Sequence, residues 1–187
     1  MLVTGFTAMA YGSFSKTATN QPSNSIPGYG DNNNFNLDQV SGFLAGGFGE
    51  QADRGVFLVG PTGLAMGKDD KLYVSDAVGN RISEIWDATT RKTNAGVGRT
   101  VTQDGMLLRP LAMTATPSGH LLVTNGLNGK VVEIDPVAGK QLYAQWIDTN
   151  KAQTPPGNGD LFGIVMTPTG DGFYYVEDDV NTLVLAK

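Results

Sequence analysis

Cysteine is absent from the 187-residue chain. Its absence excludes disulfides, thiolate nucleophiles and cysteine-ligated zinc or iron–sulfur centres. Charge is scarce too, at 17 % of residues, with a formal net charge of -5 and no basic block. Nucleic acid is therefore not an expected partner, because phosphate binding needs clustered Lys and Arg. No apolar run approaches the ~20 residues needed to span a bilayer. The opening MLVTGFTAMAYG lacks a positively charged start, and Gly5 and Gly12 interrupt it. It reads as a strand and turn rather than a signal peptide. No Asn-x-Ser/Thr acceptor occurs.

Glycine, by contrast, is abundant at 25 copies, and Val, Thr, Tyr and Phe fall in short runs. That composition fits an all-β protein with many turns. Three segments align with one another: GPTGLAMGKDDKLYVSDAVGNRISEIW (60–86), RPLAMTATPSGHLLVTNGLNGKVVEID (109–135) and LFGIVMTPTGDGFYYVEDDVNTLVLAK (161–187). Each contains an apolar run, a polar turn, a second strand, a tight turn and a third strand. The tight turns are VGNR, LNGK and DVNT. Asn128-Gly129 predicts a type I′ hairpin, which needs positive φ at both central residues. The first run of each unit alternates little, as expected of a strand buried on both faces. Units one and two carry a candidate fourth strand, TNAGVGRTV (93–101) and KQLYAQWID (140–148).

Short antiparallel strands repeated every ~40–50 residues describe propeller blades. The boundaries read as a remnant blade over 1–59, a blade over 60–108, a blade over 109–158 and an incomplete blade over 159–187. Within the remnant, 1–6 reads as a second strand and 41–48 as an outer strand. Between them, 17–36 is rich in Asn, Ser, Pro and Gly and reads as a long surface loop.

The succession P-x-G-L-A, L-Y-V-S-D and N-R-I resembles the NHL-repeat β-propellers. Most of the chain is similar to the C-terminal half of longer bacterial NHL-repeat proteins. That resemblance implies about half of a six-bladed propeller built from four-stranded blades, and export to the periplasm or outside the cell. It implies no particular activity and no cofactor. A six-bladed ring needs roughly 250–300 residues. The expected partners are accordingly a missing N-terminal half or a second copy to close the ring, with a protein or glycan ligand as a further possibility.

Candidate chemistry is thin. The phrase IDPVAGKQL (134–142) resembles the SMP-30/gluconolactonase propellers. That resemblance implies metal ligands just before the inner-strand G-L or G-M pair. Thr62, Leu111 and Phe162 stand at those places and offer no carboxylate, so no metal site is expected there. The streptogramin lyases, also propellers, use a His base. The one histidine here, His120, lies in the turn PSGHLL, where an exposed turn residue is the plainer reading.

Arg54 and Arg109 precede inner strands, where propeller loops gather on the ligand-binding face. With Thr62 and Phe162 they are the candidate binding residues. Asp76, Asn125 and Asp178 read as one repeated polar position, with side chains that cap turns. The acidic run Glu177, Asp178, Asp179 lacks the spacing of a calcium loop and reads as a solvated turn. DNNN (31–34) lacks the Gly and distant Glu of an EF-hand, and GGFGE (46–50) lacks the Lys of a phosphate loop. Trp86 and Trp146 are expected to pack between blades. No catalytic residue is assigned. A non-catalytic binding scaffold is the first expectation. A lyase or lactonase of the propeller type, completed by residues outside this chain, is the second.

Overall fold

A computed structural model describes residues 44–187 except 54–56, 149 and 160. The strand at 1–6, the loop at 17–36 and Arg54 lie outside the described residues. Thirteen strands follow one another and no helix intervenes among the described residues. β1 (Gln51–Asp53) and β2 (Phe57–Val59) form a two-stranded hairpin. β3 (Pro61–Met66), β4 (Leu72–Asp76), β5 (Arg81–Ile85) and β6 (Arg99–Gln103) form one four-stranded antiparallel sheet, in that order. β7 (Pro110–Ala115), β8 (Leu121–Asn125), β9 (Lys130–Asp135) and β10 (Lys140–Trp146) form a second. β11 (Leu161–Met166), β12 (Phe173–Glu177) and β13 (Thr182–Ala186) form a three-stranded third.

The inner strands stand side by side, β3 against β7 and β7 against β11. This is the arrangement of a partial β-propeller. The main core lies between the first two blades. Ile82, Leu121, Val123, Val132 and Ile134 are wholly buried there, with Tyr73, Leu107 and Met113 around them. Each such aliphatic side chain contributes about 1.5–3 kcal/mol of burial.

The blades share one irregularity. The register between inner and second strand shifts after Pro61, Pro110 and Leu161, so each inner strand carries a bulge near its start. In the first two blades the bulge turns one amide away from the ladder, and a hydroxyl on the second strand meets it. The Gly63 amide donates to Ser75 Oγ at 2.7 Å. The Ala112 amide donates to Thr124 Oγ1 at 3.0 Å. Each hydroxyl then donates to the carbonyl of the next inner strand: Ser75 to Leu111, and Thr124 to Phe162 at 3.2 Å. Both side chains are fully buried. One residue in each of these blades thus ties its own bulge to its neighbour.

Several sequence expectations are corrected. The inner strand β3 alternates, with Leu64 and Met66 half exposed, because only one of its faces meets β7. The fourth strand of the first blade starts at Arg99 rather than Thr93, since residues 93–98 form a turn-rich loop. Residues 44–50 carry no strand, although Ala45 and Phe48 are buried against Val74 and Ile85. The hairpin after β8 has four loop residues, and positive φ occurs at Gly129 but not at Asn128. It is therefore not a two-residue type I′ turn. Asn80, Gly129 and Asn181 hold the same left-handed position, each just before the third strand. Trp86 and Trp146 lie half exposed at the surface rather than between blades. Lys71 and Arg99 lie over Trp86, and Lys130 sits 4.0 Å above Trp146.

Glu84 is a buried carboxylate on β5. It accepts from Arg99 Nε at 2.6 Å and from the Trp86 indole. Burial pushes its carboxyl up, but these bonds and the Arg99 and Lys71 charges outweigh burial and hold it below the usual carboxylate range.

Two outcomes are expected. Thr124→Val removes both bonds at the second bulge and leaves a buried amide unpaired. It should destabilise the chain by about 1–3 kcal/mol in urea denaturation. A folded-state carboxyl held low contributes stability above its unfolded value and loses it as pH falls through the folded value. The stability gap between wild type and Glu84→Gln should therefore be full near neutrality and close in acid. Thermal melts from pH 7 downward would show it.

Candidate functional site

The strand directions place several chemical groups at one end of the blades. The inner strands start there and the second strands finish there. The β8–β9 hairpin and the exit from β10 lie at the same end. Thr62, Arg109, Leu111 and Phe162 are all on this entry end. His120 is not. It lies in the turn at the opposite end, with Nδ1 2.7 Å from Glu133 Oε1 on the adjacent strand.

The entry-end candidates are engaged in packing. Thr62 donates from Oγ1 to the Leu111 carbonyl at 3.1 Å. Leu111 is buried with Val59 and Ala77, and Phe162 packs on that cluster. Arg109 has positive φ, and its amide donates to Asn80 Oδ1 at 2.9 Å. The inner-strand metal position of the lactonase-like propellers does not fit this chain. Leu111 and Phe162 have no donor side chain, and the Thr62 hydroxyl is committed to a carbonyl.

The repeated polar position also differs from the sequence alignment. Pro61 pairs with Asp76, Pro110 with Asn125 and Leu161 with Glu177. Glu177, not Asp178, is therefore the third member, because the third hairpin is aligned one residue earlier. Asp178 falls in the turn beyond the strand, where its carbonyl accepts the Asn181 amide at 3.2 Å.

The three members are used differently. Asp76 is buried, accepts the Gly79 amide at 2.8 Å and pairs with Arg81 at 2.8 Å. Asn125 is buried, accepts the Leu108 amide at 3.0 Å and donates to the Met106 carbonyl at 2.8 Å. Each holds a loop next to its own strands. Glu177 instead meets two other carboxylates. Asp148, Glu177 and Asp179 bring ligand oxygens within 4.8 Å of one another.

Backbone geometry sets Asp148 in place. The amides of Ile147 and Asp148 both donate to the Gly129 carbonyl at 3.1 Å. A Cβ at Gly129 would come 2.3 Å from the Asp148 carbonyl, so only glycine admits this approach. Asp148 is 4 % exposed. Its Oδ1 accepts the Asn150 amide at 2.9 Å, while its Oδ2 is buried with no hydrogen-bond partner. Asn150 Nδ2 also donates to Asp179 Oδ2 at 2.5 Å. Thr182 Oγ1 donates to Glu177 Oε2 at 3.3 Å. Burial first, then the negative charges of Asp148 and Asp179, push the Glu177 carboxyl above its usual range. No lysine or arginine ion pair joins the three carboxylates among the described residues.

The acidic run 177–179 is visible in the sequence, but nothing in the sequence associates Asp148 with it. The two segments meet only because the β10 exit is fastened to the β8–β9 hairpin. No local spacing signals that contact.

No family model matches the chain, and a search among curated proteins finds no match. Solved structures do resemble it. A luciferin-regenerating enzyme superposes with a TM-score of 0.50 at 19 % identity, over 66 % of this chain and 39 % of that one. Virginiamycin B lyase from Staphylococcus aureus superposes with a TM-score of 0.50 at 16 % identity, over 75 % of this chain and 42 % of that one. The chain thus spans about two fifths of the length of these structures. At such identities the likeness establishes the β-propeller fold, and it does not single out the NHL repeat.

Proposed function

We propose that this chain forms part of the catalytic face of a propeller-type lyase or lactonase, rather than a purely passive scaffold. The supporting observation is the convergence of Asp148, Glu177 and Asp179, from two adjacent blades, at the entry end. A scaffold has no use for three carboxyls in contact with no lysine or arginine pairing them among the described residues. Ring opening of an ester has two uses for such groups. One is to activate the attacking water or take the proton beside the carbonyl. The other is to hold a cation that polarises the carbonyl oxygen. Phe162, only partly buried at the same end, offers some apolar surface for the body of a small ligand. The remaining groups come from elsewhere in the ring, either further sequence or a second copy. The named neighbours, a virginiamycin B lyase and a luciferin-regenerating enzyme, are consistent with small-molecule chemistry on this fold.

A binding role retains one specific support. Val165, Val176, Leu183 and Leu185 leave an apolar surface on the third blade, where a further blade or a partner protein would pack.

The test is turnover of a panel of γ- and δ-lactones and of virginiamycin B by the closed ring, whether further sequence or a second copy completes it. Ring opening is expected, and Asp179→Asn should lower it at least tenfold with the circular-dichroism spectrum unchanged. Asp171→Asn, at the opposite end of the same blade, should leave it intact. Absence of turnover, together with absence of heat on titrating the same compounds into the closed ring, would return the assignment to a scaffold.

A further inference from the structure

We propose that Asp148, Glu177 and Asp179 bind a hard divalent cation of the calcium type at the junction of the second and third blades. The proposal uses the same carboxylates as the enzymatic reading but does not depend on catalysis.

Three separate elements supply the donors: the exit from β10, the last residue of β12 and the turn that follows it. Their oxygens lie within 4.8 Å of one another, close enough for one ion to touch all three. Two oxygens bound to the same calcium at 2.3–2.6 Å can be no more than about 5 Å apart. The set is all oxygen, with no nitrogen or sulfur donor. That chemistry suits calcium, magnesium or manganese rather than zinc or copper.

The decisive observation is separate from the clustering. Asp148 is 4 % exposed, and its Oδ2 is buried with no hydrogen-bond donor beside it other than the Glu177 carboxyl in its protonated form. A buried carboxylate oxygen without a partner is costly, and charges at this depth are ordinarily paired or metal-bound. Here the neighbouring groups are two more carboxyls, which worsen the cost whenever they are ionised. A divalent cation removes the repulsion and completes the coordination of Oδ2 in one step.

The surroundings are prepared for it. Asn150 fixes Asp148 through its amide and Asp179 through its side chain. Thr182 orients Glu177. Each carboxylate is thus held by a neutral donor that leaves room for further coordination. The site is off the inner strands and uses none of Thr62, Leu111 or Phe162. It would fasten the β10 exit to the third blade, beside the bonds from Thr124, Tyr175 and Met166 that already join the two blades.

Terbium is the probe, because it replaces calcium in oxygen sites and is sensitised by nearby tyrosine. Tyr175 is well placed, since its hydroxyl donates to the Ile147 carbonyl at 3.2 Å, one residue from Asp148. Excitation of tyrosine in the purified chain should give saturable terbium emission that calcium displaces. Asp148→Asn and Glu177→Gln should weaken binding at least tenfold. Asp179 is exposed, so Asp179→Asn keeps the fold and should weaken it by a similar factor. Calcium should raise the melting temperature of wild type but not of these variants. Emission that never saturates, or that all three variants leave unchanged, overturns the proposal. So does a melting temperature that Glu177→Gln raises while calcium has no effect on wild type, since the carboxylates would then be sharing a proton. Terbium binding without lactone turnover would sink the enzymatic reading alone.

Discussion

The hydroxyl of the second strand holds the blades together. Ser75 and Thr124 each accept the amide exposed by their own bulge and donate to the next inner strand. Each bond is worth only about 1 kcal/mol net, but both groups are buried, and leaving either unpaired costs more than the bond yields. The clasp therefore restricts how far apart adjacent inner strands can stand. Gly63 shows how tight the resulting approach is, since a Cβ there would lie 2.2 Å from the Leu111 carbonyl. The core between the first two blades is packed at the spacing this contact imposes. In the third blade the matching residue is Val176, which has no hydroxyl and is partly exposed. The clasp ends at the blade whose outer face no described residue covers.

Much of this order is legible in the chain. The three aligned units place β3, β7 and β11 and their second and third strands, because apolar runs and turn residues recur in step. The propeller reading follows from that repetition, and the structural neighbours share the fold. Fourth strands are harder. RTVTQ (99–103) carries no strong apolar pattern, since its residues are exposed or half-buried, and the preceding glycines blur its start. Alternation on β3 is hidden because Leu64 and Met66 are apolar although half exposed, so hydrophobicity alone overstates burial.

The site is less legible for a different physical reason. Matching residue types sets Asp178 beside Asp76 and Asn125, but hydrogen-bond register is what defines equivalence, and it selects Glu177. Asp148 lies in a connecting segment whose position depends on Gly129. In the sequence that glycine is a hairpin signal, and it does serve the hairpin. Its left-handed backbone also lets the β10 exit approach within a distance no side chain would permit. One residue thus serves the turn and the site at once, and only the turn has a sequence signature.

The same strand-end position is used three ways across the blades, and the contrast is informative. Asp76 is neutralised by Arg81 beside it, and Asn125 carries no charge to neutralise. Both are structural solutions to a buried polar group, one by pairing and one by neutrality. At Glu177 neither solution is present. The residue facing it across the hairpin is Thr182, where the first two blades have Arg81 and Lys130. Among the described residues, no lysine or arginine takes that place at Glu177, where two further carboxylates converge. Selection for folding alone would favour a lysine at Thr182. The threonine there leaves the three carboxylates without the pairing that Arg81 gives Asp76, and that contrast is what the proposed cation site rests on.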